Sequence, residues 1–387
     1  MTLTATSLHP VTLLHPDGTT TVADLGEAPA FERPSTPLRS RVAYAAAHVI
    51  PKPWADNVPG APADIDWEAT LAFRRHLWSW GLGVADAMDT AQRNMGLDAA
   101  ATRELIARSA AEARAAGGSI VAGVNTDHVD ERVIPLDSVI DAYKQQLHFT
   151  EDAGAGVVLM ASRHLARAAQ TPGDYERVYR EVLEAAAAPV VLHWLGTAFD
   201  PELEGYFGDA DTVLRIIEAA GDRVAGIKLS LLDAEAEVAL RARLPHGVRM
   251  FTGDDFNYAG LIAGDGERHS DALLGAFAAL APSASAAIQA LDAGSPEAFS
   301  AILEPTQALS RQVFAAPTYF YKTGVAFLAW LNGHQEAFSM VGGLHAARSL
   351  PHLSEIVRLA AACGALEHPE LAARRWRGLL AVNGVES

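Results

Sequence analysis

The stretch Val224-Ala-Gly-Ile-Lys-Leu-Ser230 decides the reading of this chain. It has the length and composition of a buried strand, apolar and small throughout, except that one lysine interrupts it. An ammonium buried without a partner is costly, so a lysine in such a place tends to lose its proton. The neutral amine attacks carbonyls and forms the Schiff base used by lyases and aldolases. The alternative is a lysine paired with a nearby carboxylate, and the fold around the strand decides between the two.

Similar runs lie on both sides of this one, at residues 42–50, 84–88, 119–125, 156–161, 190–195 and 248–252. Most are followed by a longer segment rich in Ala, Leu, Glu and Arg with helical spacing. Such alternation implies a parallel sheet covered by helices. An eighth strand, for which residues 272–277 are the candidate, closes the sheet into an α/β fold of the (β/α)8 TIM-barrel type. An open doubly wound sheet is the rival, but no Gly-x-Gly-x-x-Gly turn follows the first strand, and Gly81-Leu-Gly83 precedes one. Beyond residue 283 only helical patterns remain. The expected organisation is an N-terminal extension (1–40), a catalytic barrel (41–282) and a C-terminal helical subdomain (283–387) serving as a cap or for oligomerisation. Within the extension a hairpin is expected at 11–22 around Asp17-Gly18, with part of the segment packed on the outside of the barrel.

Half of the residues are hydrophobic and 20% are charged, which suits a large buried core. With 47 acidic against 30 basic residues the net charge is −17, a poor match for nucleic acid or an anionic membrane. A single cysteine, Cys363, excludes an intramolecular disulfide and any multi-cysteine metal centre, and points to a reducing cytoplasm. No run is long and apolar enough to span a bilayer, and Met1 to Pro10 lacks the pattern of a secretory leader.

Barrel enzymes place their chemistry where strands end. That rule selects His48, Asp89, Asn125, Ser162, His193, Lys228 and the pair Asp254-Asp255. His193 closes the strand before that of Lys228 and so lies beside it. Its ordinary pKa suits proton transfer, though a hydrogen-bonded core histidine is an equal alternative. Asp254 is expected at the substrate or as a helix cap, whereas Asp255 is expected to cap free N–H groups.

Taken in order, these pieces resemble the dihydrodipicolinate synthase and N-acetylneuraminate lyase superfamily, and closely resemble its branch known as the domain of unknown function 993, over residues 41 to 365. Gly226-Ile-Lys228 is similar to the superfamily's Gly-x-Lys strand, which implies a Schiff-base lysine at Lys228. Gly253-Asp-Asp255 and Tyr321-Lys-Thr-Gly324 also match. The resemblance further implies a homo-oligomer, a dimer or tetramer. Where the superfamily usually has Gly-Thr-Thr-Gly-Glu after the second strand, this chain has Ala87-Met-Asp-Thr-Ala-Gln92, and His193 stands in the place of the usual tyrosine. An aspartate there is expected to repel the carboxylate of pyruvate.

The function expected is a class I, lysine-dependent lyase or aldolase acting on a small carbonyl substrate such as a keto-sugar. Lys228 and His193 are catalytic in this reading, while His48, Asp89, Thr90, Asn125 and Asp254 bind substrate, with Gln92 among the polar loop residues. No cofactor or metal is assigned. One alternative is a barrel enzyme holding a divalent ion on His48, Asp89, His193 and Asp254. The other is a non-catalytic small-molecule binding protein on the same fold.

Overall fold

The computed structural model describes residues 8–385, so residues 1–7 of the segment read for a leader lie outside it. The chain opens with an antiparallel hairpin, β1 (Pro10–Leu14) and β2 (Thr20–Asp24). Eight parallel strands then follow, separated by helices: β3 (Ala43–Ala46), β4 (Gly83–Asp86), β5 (Ile120–Val124), β6 (Gly156–Leu159), β7 (Val190–Leu195), β8 (Val224–Ser230), β9 (Arg249–Thr252) and β10 (Asp271–Leu274). Each pairs with the next and β10 returns to β3, which closes a (β/α)8 barrel. The first strand is shorter than expected, ending at Ala46, and the last runs from Asp271 to Leu274, so that Phe277 falls in the short helix Ala276–Ala279.

Helix starts follow from local chemistry. Asp66, Asp98, Asp209 and Asp233 each precede a helix and accept a hydrogen bond from the N–H three residues on. Behind β10 all remaining regular elements are helical, including Ala281–Asp292, Tyr321–Leu331, Leu350–Ala362 and Pro369–Val382. They share one apolar cluster with the barrel, in which Ala43, Phe73 and Leu274 belong with Val325, Ile356 and Trp376. The hairpin rests on these helices rather than on the barrel: Trp376 Nε1 donates to the Thr12 carbonyl at 2.8 Å, and the Leu14 N–H to Ser354 Oγ at 2.7 Å. Only farther along does the extension meet the barrel, where Pro34 and Leu38 lie against Gly81.

Strand alternation separates the two faces of the barrel wall. Ile227 and Leu229 of β8 face outward, into a cluster with Val213, Ile217 and Leu240 of the surrounding helices. The inner cluster contains Ala46, Ala85, Val121, Val158, Val191, Phe251 and Leu273, one residue from each of seven strands. In β8 the inward positions are Gly226, Lys228 and Ser230. Glycine at 226 is dictated by space, since a Cβ there would lie 2.8 Å from the Phe251 ring and 2.7 Å from the Arg249 carbonyl.

A buried ion pair fixes the start of the barrel. Arg74, on helix Trp67–Ser79, makes a two-point contact with Asp86 at the end of β4 (3.0 and 2.7 Å), and both side chains are fully buried. Its remaining nitrogen donates to the His48 and Thr70 carbonyls, while Asp86 also accepts the Ala87 N–H. Arg74 therefore ties the chain after β3 to the end of β4. Asp86→Ala leaves this guanidinium buried and uncompensated, and should cost about 3–5 kcal/mol in urea unfolding. A loss below about 1 kcal/mol would show that the pair does not hold the barrel together.

Candidate active site

Lys228 faces the barrel axis near the C-terminal end of β8, in register with His193 of β7 and Phe251 of β9. Neighbouring strands are about 4.8 Å apart, so the two polar side chains are immediate neighbours inside the wall. Room for the lysine comes from Gly253, where a Cβ would sit 2.7 Å from Lys228 Cε and 2.1 Å from Ser230 Oγ. Burial pushes the Lys228 amine below the ordinary lysine range, while Asp89 and Asp255 pull it partly back. His193 is fully buried; its Nε2 lies 3.2 Å from Ser230 Oγ, and its Nδ1 has no hydrogen-bond partner among the described residues. Burial, reinforced by Lys228, holds this imidazole well below its usual value and hence neutral.

Of its two expected roles Asp254 takes the cap, while Asp255, expected to cap, does so and also lies within reach of Lys228. Asp254 makes the turn, accepting from the Phe256 and Asn257 N–H groups at 2.8 and 3.1 Å and from the Asn257 side chain at 2.9 Å. Asp255 accepts the Ala276 N–H at 2.9 Å and lies within electrostatic reach of Lys228. Burial raises its carboxyl to about 7, against the pull of the Ala276 N–H and Lys228. Burial thus disfavours the charged forms of both Lys228 and Asp255, and a proton passed from amine to carboxylate leaves both neutral.

Asp89 follows β4 and lines a cavity at the barrel mouth with Asn125, Asp127, Arg163 and Asp200. Arg163, Lys228 and Lys322 all act on Asp89. The expectation that Asp89 repels a carboxylate considered the aspartate alone, and Arg163 and Lys322 set cationic groups within its electrostatic reach. Lys322 was missed as a site residue. It is 2% exposed, its Nζ donates to the Tyr319 carbonyl at 2.9 Å, and burial lowers it to about 8. The signal was available, since Lys322 interrupts an otherwise apolar helix, Tyr-Lys-Thr-Gly-Val-Ala-Phe-Leu-Ala-Trp-Leu, much as Lys228 interrupts its strand.

Other expected site residues also have structural partners. Thr90 is bonded to the Tyr321 hydroxyl at 2.7 Å, which anchors the C-terminal helix to the mouth. His48 is buried with Nε2 on Gln335 at 2.9 Å, and Gln92 donates to the Val341 carbonyl at 2.7 Å. Ser162 caps helix Arg163–Ala168. Asn125 lines the cavity while bonding the Thr126 N–H and the Ala161 carbonyl. Arg93 braces the loops after β4 and β5, reaching the Ala87 and Gly123 carbonyls and pairing with Asp127 at 2.6 Å. Lys228, His193 and Asp255 thus form one buried group, and Asp89, which lines the cavity, lies within electrostatic reach of Lys228. His48 and Asp254 have other partners, and His48, Asp89, His193 and Asp254 do not converge as metal ligands among the described residues.

A family model described as a protein of unknown function, DUF993, matches residues 11–385. The chain belongs to the DUF993 family. None of the curated proteins compared matches this DUF993 protein. Among solved structures, dihydrodipicolinate synthase from Aquifex aeolicus is 13% identical with a TM-score of 0.65, covering 84% of this chain and 99% of its own. The 4-hydroxy-tetrahydrodipicolinate synthase of Methylacidiphilum fumariolicum SolV is 15% identical with a TM-score of 0.64 over 87% and 99%. The dihydrodipicolinate synthase of Oceanobacillus iheyensis is 15% identical with a TM-score of 0.58 over 78% and 90%. At such identity the DUF993 chain shares their fold.

Asp255 and Asp89 both raise the Lys228 amine, so removing either charge lowers it further. Asp255→Asn and Asp89→Asn should each move the pH midpoint for Lys228 modification by an amine-reactive probe to lower pH, read by peptide mass spectrometry. An unmoved or raised midpoint in both would separate these carboxylates from the lysine.

Proposed function

We propose that this protein is a class I lyase or aldolase in which Lys228 forms a Schiff base with a small, polyhydroxylated carbonyl substrate, a keto-sugar or sugar derivative. The observation that carries the reading is an inward-facing lysine near the C-terminal end of a barrel strand, its amine driven toward the neutral form by burial and set beside a neutral histidine. The fold shared with solved proteins named dihydrodipicolinate synthases supports it.

In this reading Lys228 Nζ attacks the carbonyl carbon; the nitrogen then gives up one proton and the carbonyl oxygen takes one up, which gives a carbinolamine. Loss of that hydroxyl as water, with a second proton, gives the iminium. The iminium accepts the electron pair released when the neighbouring carbon–carbon or carbon–hydrogen bond breaks. His193 moves these protons, and Asp255, with its carboxyl near 7, is a second group able to hold one at neutral pH. The carboxylates and guanidinium groups lining the mouth would accept from and donate to the hydroxyls of such a substrate.

Borohydride added with a panel of keto-sugars and 2-oxo acids should leave a reduced adduct on Lys228, found by mass spectrometry. Lys228→Met should lose both adduct and turnover while retaining the fold, and His193→Ala should slow turnover by roughly a hundredfold. Full turnover by Lys228→Met would refute the mechanism.

A further inference from the structure

Away from the barrel mouth, three side chains from separate elements converge: His76 from the last turn of helix Trp67–Ser79, His334 just after helix Tyr321–Leu331, and Glu367 just before helix Pro369–Val382. One ligand atom from each lies within 4.8 Å of the other two, the only such group of three among the described residues. Both imidazole Nε2 atoms approach the same oxygen, Glu367 Oε1, at 2.8 Å from His334 and 3.6 Å from His76. The first distance is a hydrogen bond; the second is too long for one. The rings are 4.2 Å apart and tilted by 49°, and all three side chains are largely but incompletely buried (13–21% exposed).

We infer that His76, His334 and Glu367 form a binding site for a divalent transition-metal ion of the zinc class. Zinc takes imidazole nitrogen at about 2.0–2.1 Å and carboxylate oxygen at about 2.0–2.2 Å, and a tetrahedron of such bonds has edges of roughly 3.3 Å. The 3.6 Å separation already fits that edge, and the 2.8 Å contact needs to open by only about half an ångström. Two nitrogens and one oxygen, with no cysteine, select a borderline ion over calcium or magnesium, and solvent can complete the coordination.

The surroundings hold the ligands in place. Phe73 stacks on His76 and tilts against His334, with ring centres at 6.0 and 5.4 Å. Asn332 accepts the Glu367 N–H at 2.9 Å and donates to the Ala365 carbonyl at 2.9 Å, which fixes the loop carrying the carboxylate to the turn carrying His334. Glu367 also borders a surface cleft shared with His368 and Glu370, by which an ion can enter. A metal here links the first helix of the barrel to two C-terminal elements, so its binding stabilises their packing.

The test uses the full-length protein, stripped with chelator and then titrated with Zn2+ alone. One ion per chain should bind, followed by calorimetry and by elemental analysis after desalting, and the melting temperature should rise with added zinc. Co2+ in place of Zn2+ should show the visible d–d absorption of a low-coordinate site. Glu367→Gln preserves size and can still accept from His334, so its fold should survive while zinc affinity falls at least tenfold; His76→Gln should do the same. Absence of stoichiometric zinc binding in the native chain overturns the inference. So does binding of unchanged affinity in both variants, which would place the ion elsewhere.

Discussion

A closed barrel of eight parallel strands gives an inward side chain near its C-terminal end little bulk water, and Lys228 occupies such a position. Each pKa unit by which its amine is lowered corresponds to about 1.4 kcal/mol of preference for the uncharged form. The rest of the site follows from that cost. His193 stays neutral because it is buried beside a potential cation, and Asp255 is held near 7 because it too is buried, so the proton of the pair is easily moved. Gly253 and Gly226 yield the space the arrangement needs, the first for the lysine stem and Ser230, the second for the ring of Phe251.

Around this centre the mouth is assembled from distant parts of the chain. Arg74 with Asp86 and Arg93 with Asp127 fix the loops after β3, β4 and β5, which sets where Asp89 and Asn125 stand. Tyr321 and Lys322 come from a helix that follows the barrel, and the Tyr321–Thr90 hydrogen bond anchors that helix at the end of β4. The C-terminal helices are therefore part of the electrostatic environment of the mouth, where Lys322 joins Arg163 within reach of Asp89.

The barrel was legible because its signal is periodic: apolar runs alternating with helical segments leave few other arrangements, and the strand reading located Lys228 beside His193. Features that depend on a single step of backbone were not legible. Nothing in Asp254-Asp255 tells which carboxylate also reaches the lysine: Asp254, left open between substrate and cap, makes the turn, while Asp255, read as a cap, caps Ala276 and acts on Lys228 as well. Thr90 and His48 have the right residue types at strand ends, yet their partners, Tyr321 and Gln335, lie more than two hundred residues away. Asp89 was judged alone because the cations within its reach come from elsewhere in the chain, and the convergence of His76, His334 and Glu367 is invisible for the same reason.

The proposed mechanism requires the fold to lower the Lys228 amine far enough to react near neutral pH. The most direct measurement is an NMR titration of the protein labelled with 13C at lysine Cε, the Lys228 signal being assigned by its absence from Lys228→Arg. A midpoint below the ordinary lysine range, moving with the titration of Asp255, is the predicted result. A Lys228 signal that titrates as an ordinary exposed lysine would contradict the account.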